Sequence, residues 1–141
     1  MKTAQGELRD QTFTHLSIGV LMEPNVKSAT KDSKAEWLAS LMMEGFGSVP
    51  IVNDQKVLVG IVSEFDLLAA VRKGAKLSEV RAGDIMTTSP LSVTKDAEVV
   101  AVMDVLQNNH LIRVPVIDAQ GKLIGIVARR DILRGYLQTV L

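Results

Sequence analysis

The sequence contains no cysteine. That removes disulfide frameworks, thiolate zinc sites, iron–sulfur clusters and cysteine nucleophiles, and it fits a reducing, cytoplasmic setting. Two histidines, His15 and His110, are too few for a histidine-built metal site, so no metal is expected. Aromatic residues make up 4% of the chain, which argues against a stacking platform for single-stranded nucleic acid. The 16 Lys and Arg balance 16 Asp and Glu. A net charge of zero gives no global pull toward nucleic acid, anionic membrane or acidic polymer. No apolar run approaches the roughly 18 residues of a membrane span, and the opening MKTAQGELRDQTFTH lacks the apolar stretch of a signal peptide. What is present is 141 residues, 47% of them hydrophobic. That is the length of one domain, able to bury roughly two-thirds of its unfolded surface.

The chain reads as one sequence stated twice, and a repeat decides the fold before anything else. Gly60-Ile-Val-Ser-Glu-Phe-Asp-Leu-Leu68 returns as Gly125-Ile-Val-Ala-Arg-Arg-Asp-Ile-Leu133, identical at five of nine positions. Val49-Pro-Ile-Val52 returns as Val114-Pro-Val-Ile117, Thr30-Lys-Asp32 as Thr94-Lys-Asp96, and Met22 as Met86. The offset is 64 at the front and 65 at the back, so the second copy carries one extra residue. The matched stretches run from about 17 to 73 and 81 to 137. The domain division that follows is an N-terminal segment 1–16, repeat one 17–73, a linker 74–83 bracketed by Gly74 and Gly83, and repeat two 84–141. Each repeat is too small to hold a core alone, so the two are expected to pack about a pseudo-twofold axis.

Each copy reads β-α-β-β-α. An extended piece, Val26–Thr30 or Leu91–Thr94, precedes a helix. In copy one Ser33 and Glu36 form a capping-box pattern ahead of Leu38, Leu41 and Met42. In copy two Asp96 is the N-cap, with Val99, Val102, Met103 and Leu106 on one face. Gly45 and Asn109 suit left-handed helix exits. A strand through Val-Pro follows, Ser48–Asn53 or Arg113–Asp118, expected at a sheet edge or starting at the proline because proline donates no N–H. Turns at Asn53-Asp54 and Asp118–Gly121 lead to branched strands, Val57–Val62 and Lys122–Val127. A closing helix spans Glu64–Arg72 or Arg129–Leu137.

These words, with Asp84-Ile-Met-Thr87 opening copy two, resemble a tandem pair of CBS domains, a Bateman module, over residues 17 to 137. The resemblance implies an α/β (α+β) fold and a non-catalytic regulatory module. Its ligand would be an adenosine compound such as AMP, ADP, ATP or S-adenosylmethionine, bound in clefts between the repeats, with no required cofactor. It also implies a homodimer and a possible protein partner. The alternative is a ligand-free dimerisation or protein-interaction module. An enzyme ranks third, since no nucleophile–base pair, metal cluster or Walker-type glycine loop is visible.

The resemblance also places the site. An Asp in the strand-to-helix turn would bond ribose hydroxyls, and a hydroxyl residue three positions earlier would touch the ligand. Ser63 and Asp66 match fully, Ala128 and Asp131 by half. One cleft would combine Ile61, Ser63 and Asp66 with Thr87, Leu91 and Ile112. The other would combine Arg113, Ile126 and Asp131 with Val26, Phe46 and Gly47, and Glu23 there replaces the hydroxyl of Thr87. Arg113, and Arg129 or Arg130, would reach phosphate, a helix start supplying N–H donors. Phosphate is therefore expected in the second cleft, despite Glu23, which would turn into water.

Each assignment has a plainer reading beside it. Ser63 with Asp66 is itself a capping pattern, which Ala128 cannot complete. Arg113, Arg129 and Arg130 are ordinary solvated cations, and Ile61, Ile112 and Ile126 are ordinary core. Trp37 is a core residue unless it marks a dimer surface, and His110 a turn.

Overall fold

The computed structural model describes residues 12–140. Repeat one carries helix α1 (Ala35–Met43), strands β1 (Ser48–Val52) and β2 (Leu58–Ser63), and helix α2 (Glu64–Arg72). A short helix α3 (Ala82–Ile85) and strand β3 (Thr87–Thr88) open repeat two. Strands β4 (Val93–Thr94), β5 (Arg113–Ile117) and β6 (Leu123–Ala128) follow, with helices α4 (Val99–Asn108) and α5 (Arg129–Val140). One sheet runs β1-β2-β3 and the other β4-β5-β6. In the first, β1 and β2 are an antiparallel hairpin, and Gly60 and Ile61 of β2 pair with Thr88 and Thr87 of β3. In the second, β4 lies parallel to β5. Ala29 makes the same parallel bridge to Ile51, so the extended piece of copy one narrows to a single residue pair.

The chain forms two compact units, and neither is a sequence repeat. One takes the described residues through Val26 together with Leu91–Ala119 and Ile124 onward; the other takes Lys27–Pro90 and Gln120–Leu123. The opening segments are thus exchanged. In the first unit, Ile18 and Gly19 N–H groups donate to the Ala97 and Lys95 carbonyls at 2.7 and 3.0 Å. Equivalently, in the second, Ala82 and Gly83 donate to Ser33 and Lys31 at 2.8 and 2.9 Å. The Val114, Val116 and Val127 core accordingly includes Ile18, with Leu21 and Met22 packed on it. The Val49, Ile51 and Val62 core includes Ala82, with Leu77, Ile85 and Met86 packed on it.

This exchange corrects several local expectations. The Ser33 capping box does not form: Lys34 is the N-cap, and the Ser33 hydroxyl oxygen accepts from the Thr30 N–H at 3.1 Å. The Val80 and Leu77 carbonyls accept from the first helical N–H groups, Ala35 and Glu36, at 2.7 and 3.0 Å. Asp96 is likewise not the N-cap of α4. Glu98 is, without a side-chain bond, and the Leu16 carbonyl accepts from Val99 N–H at 2.9 Å. Backbone acceptors distant in sequence do the work expected of side chains, since orphan helical N–H groups take whatever acceptor the fold supplies.

Nor is the Val-Pro strand an edge starting at proline. It begins at Ser48 and has β2 on one side and Ala29 on the other. In the parallel pairing Ala29 bonds the Pro50 carbonyl and the Val52 N–H, so no N–H is needed at the ring. The Pro50–Ile61 pair must then be a non-hydrogen-bonded one. Gly45 takes the expected left-handed exit (φ 104°), but at the end of α4 that role passes from Asn109 to His110 (φ 53°). The Asn109 side-chain amide instead donates to the Val105 carbonyl at 2.9 Å.

Candidate functional site

The strand-to-helix turn of the second unit is built by β2 ending where α2 begins. Ser63 is the N-cap, and its hydroxyl oxygen accepts from the Asp66 N–H at 3.3 Å. Asp66 Oδ2 accepts from the Ser63 N–H at 2.8 Å and from the Ser63 hydroxyl at 3.1 Å. The plain capping reading is therefore satisfied in full. Asp66 Oδ1 has no partner among the described residues, so one carboxylate lone-pair set stays available. Two residues before the turn, Ile61 pairs with Thr87 of the exchanged segment. Ile61, Ser63, Asp66 and Thr87 are thereby gathered in one unit.

The first unit repeats the arrangement with different chemistry. Asp131 Oδ2 accepts from the Ala128 N–H at 2.8 Å, so half a capping box survives without a serine. The persistence of Asp131 opposite Ala128 thus has a local explanation that the sequence pattern hid. Asp131 Oδ1 is engaged by Arg134 Nη1 at 3.2 Å. Arg134 is a fourth arginine of this turn that sequence reasoning missed; its place three residues after Asp131 on a helix was the available signal. The Arg129 N–H donates to the Ile112 carbonyl at 2.9 Å, tying that loop to the helix start. Ile126 and Glu23 exchange both backbone bonds at 2.8 and 2.9 Å, which puts Glu23 where Thr87 stands in the other unit. The Glu23 carboxylate turns onto its own loop, Oε1 accepting from the Asn25 N–H at 2.9 Å. Half-buried Arg113 opens β5 and forms no ion pair among the described residues.

Of the remaining residues, Val26, Leu91 and Ile112 belong to the first unit, and Phe46 and Gly47 to the second. Leu91 and Ile112 are 50% and 56% exposed, too open for core. Phe46 packs against the core of its own unit. Arg129 lines a groove between α4 and α5, and Arg130 is exposed. Trp37 is exposed on α1. Among the described residues no group of His, Asp and Glu could hold a metal ion, and no helix is long and apolar enough to cross a membrane.

The CBS domain model matches this chain twice, over residues 17–73 and 82–138. An uncharacterized protein of Methanopyrus kandleri is 36% identical over 121 residues, covering 84% of this chain and 62% of the relative, so the chain spans under two-thirds of that protein's length. The crystal structure of Arabidopsis thaliana CBSX2 in complex with AMP is 32% identical with a TM-score of 0.80, covering 89% of this chain and 98% of that one. A CBS domain pair solved with 5-methylthioadenosine and S-adenosylmethionine is 22% identical with a TM-score of 0.75, covering 87% of this chain and 97% of that one. At that identity the likeness is one of fold.

Proposed function

The chain belongs to the CBS domain family, and we propose that it is a non-catalytic regulatory module that binds an adenosine nucleotide. The observation that carries this reading is the open Asp66 Oδ1, held beside a helix start by two bonds that use only the other oxygen. A fixed carboxylate oxygen accepts from a ribose hydroxyl at little entropic cost, and bonds to a charged acceptor are the stronger kind. The relative with AMP extends the reading from the residues to a ligand class. Two separate places are assigned. Ser63, Asp66, Thr87 and Ile61 of the second unit suit a ligand held by its ribose and base, and Arg113, Arg130, Asp131 and Ile126 of the first unit, where cations outnumber carboxylates, suit a phosphorylated one.

Ligand regulates only if its affinity differs between two arrangements of the module. The test is thermal unfolding with AMP, ADP, ATP and S-adenosylmethionine. A ligand at 100 times its dissociation constant should stabilise the protein by roughly 2.7 kcal/mol. Since both aspartates also cap helices, the rival reading is a ligand-free interaction module. It predicts no shift with any of the four, and that result would retire the nucleotide proposal.

A further inference from the structure

Asp66 and Asp131 stand at equivalent places, but the residue three positions further along the helix differs: Ala69 on α2 corresponds to Arg134 on α5. In the second unit Ala69 leaves space beside the carboxylate. With Asp66, and with Asp84 and Ile85 of α3, it lines a cavity of about 500 Å³. In the first unit the same spacing brings a guanidinium onto the carboxylate, Arg134 Nη1 donating to Asp131 Oδ1 at 3.2 Å. Asp131 Oδ2 already accepts from the Ala128 N–H at 2.8 Å, so both oxygens are engaged. The carboxylate is the sheltered member of the pair, its side chain 14% exposed, and the guanidinium the open one, at 59%.

We propose that Arg134 is a specificity-determining residue: it withdraws Asp131 from ribose and makes the turn of the first unit select its ligand by phosphate. The inference deepens the nucleotide reading above and rests on it. A ribose diol reaches Asp66 Oδ1 without displacing anything, whereas at Asp131 it must first break a charge-assisted bond. Ala128 has no hydroxyl to compensate. A phosphate faces no such exchange, because a single bond to Asp131 leaves most of the guanidinium N–H donors for an anion. Arg130 lies one turn before Arg134 on α5, at the i,i+4 spacing where like charges repel. An anion set against both relieves that repulsion. Phe65 and Ala69 fill those places on α2 and offer an anion no charge. An exposed ion pair contributes little to folding, so the loss of Arg134 should show in binding rather than in stability.

Calorimetric titration of the full chain with ATP and with 2′,3′-dideoxy-ATP, which lacks the diol, tests it. Asp66→Ala removes the acceptor of the second unit and is the background into which Arg134→Ala is added. Asp66→Ala alone should bind the two nucleotides about equally. Adding Arg134→Ala should weaken dideoxy-ATP about tenfold, through the lost charge-assisted bond. ATP should fall much less, because Asp131 is then free to take the diol, so the preference for ATP should rise from about one toward about tenfold. A purely structural Arg134 would shift both nucleotides alike and leave that ratio unmoved. Should Asp66→Ala prevent folding, as read by circular dichroism, Asp66→Asn keeps a capping oxygen and replaces it. A preference for ATP of about tenfold already in the Asp66→Ala background, a ratio that Arg134→Ala does not move, or loss of all binding with Asp66→Ala alone would each overturn the proposal while wild-type nucleotide binding stands. A wild type that binds neither nucleotide would instead overturn the reading beneath it, and this inference with it.

Discussion

Asp66 and Asp131 occupy equivalent positions and cap equivalent helices, yet their second oxygens differ: one is open and the other is held by Arg134. Mutations therefore separate capping from recognition. Asp66→Ala and Asp131→Ala each remove a cap and should cost about 1 kcal/mol of stability. Arg113 takes part in no ion pair, so Arg113→Ala should leave the unfolding temperature nearly unchanged. Binding should follow another order. Losing a charge-assisted bond costs about 1.5–3 kcal/mol. Arg113→Ala should weaken a phosphorylated nucleotide at least about tenfold by calorimetry, and Asp66→Ala should weaken it less. Equal binding by wild type and Arg113→Ala would show that phosphate lies elsewhere. At this scale the Ser63–Asp66 pattern was legible because a capping box is local. Ser33 and Asp96 misled because the acceptors that replaced them, Leu77, Val80 and Leu16, lie 41, 45 and 83 residues from the N–H groups they serve, outside the repeat that holds the helix.

At the scale of elements, hairpins and closing helices were readable almost to the residue. Strands expected over Ser48–Asn53 and Val57–Val62 run Ser48–Val52 and Leu58–Ser63, and the helix expected over Glu64–Arg72 spans those residues. Branched residues, turn dipeptides and a cap all agree there, and agreement across levels is what makes a sequence legible. The exchanged segments were not readable, since their pairing is tertiary. Two glycines record it. A Cβ on Gly60 would stand 2.5 Å from Met86 Sδ and 3.1 Å from the Thr87 carbonyl oxygen; one on Gly125 would meet Met22 Sδ and the Glu23 carbonyl oxygen at the same distances. The strand thus lacks a side chain where the opening methionine of the other repeat lies. Gly60→Ala should destabilise by roughly 1–3 kcal/mol, as overpacking does. Adding Met86→Ala should recover only part, because the Thr87 carbonyl remains. An unchanged urea midpoint for Gly60→Ala would mean that β3 moves aside freely and is not locked to β2.

For the whole molecule, the duplication and the cooperative structure cut the chain at different places. A fragment of residues 17–73 is a complete sequence repeat. It nonetheless omits Ala82, a buried member of the core around Val49 and Val62, along with Leu77, Val80, Ile85 and Met86 that pack on it. It also loses the two carbonyls that receive the Ala35 and Glu36 N–H groups, while carrying Ile18, Leu21 and Met22, whose apolar surface belongs to the other core. A fragment of residues 27–90 cuts through both repeats but keeps that entire core and both capping carbonyls. Of its unit it gives up only the turn Gln120–Leu123, where the Gly121 carbonyl accepts from Leu58 N–H at 3.0 Å. The two pieces are of similar length, both in the range where a single core is marginal, so size does not favour either. Completeness of the core does: exposing several apolar side chains at about 1.5–3 kcal/mol each exceeds the stability such a small domain can hold. Residues 27–90 should show helical circular dichroism and a sigmoidal thermal transition, and residues 17–73 neither. The opposite result, a cooperative transition for 17–73 alone, would show that the repeat folds without the segment it receives and that the exchange is not needed for its core.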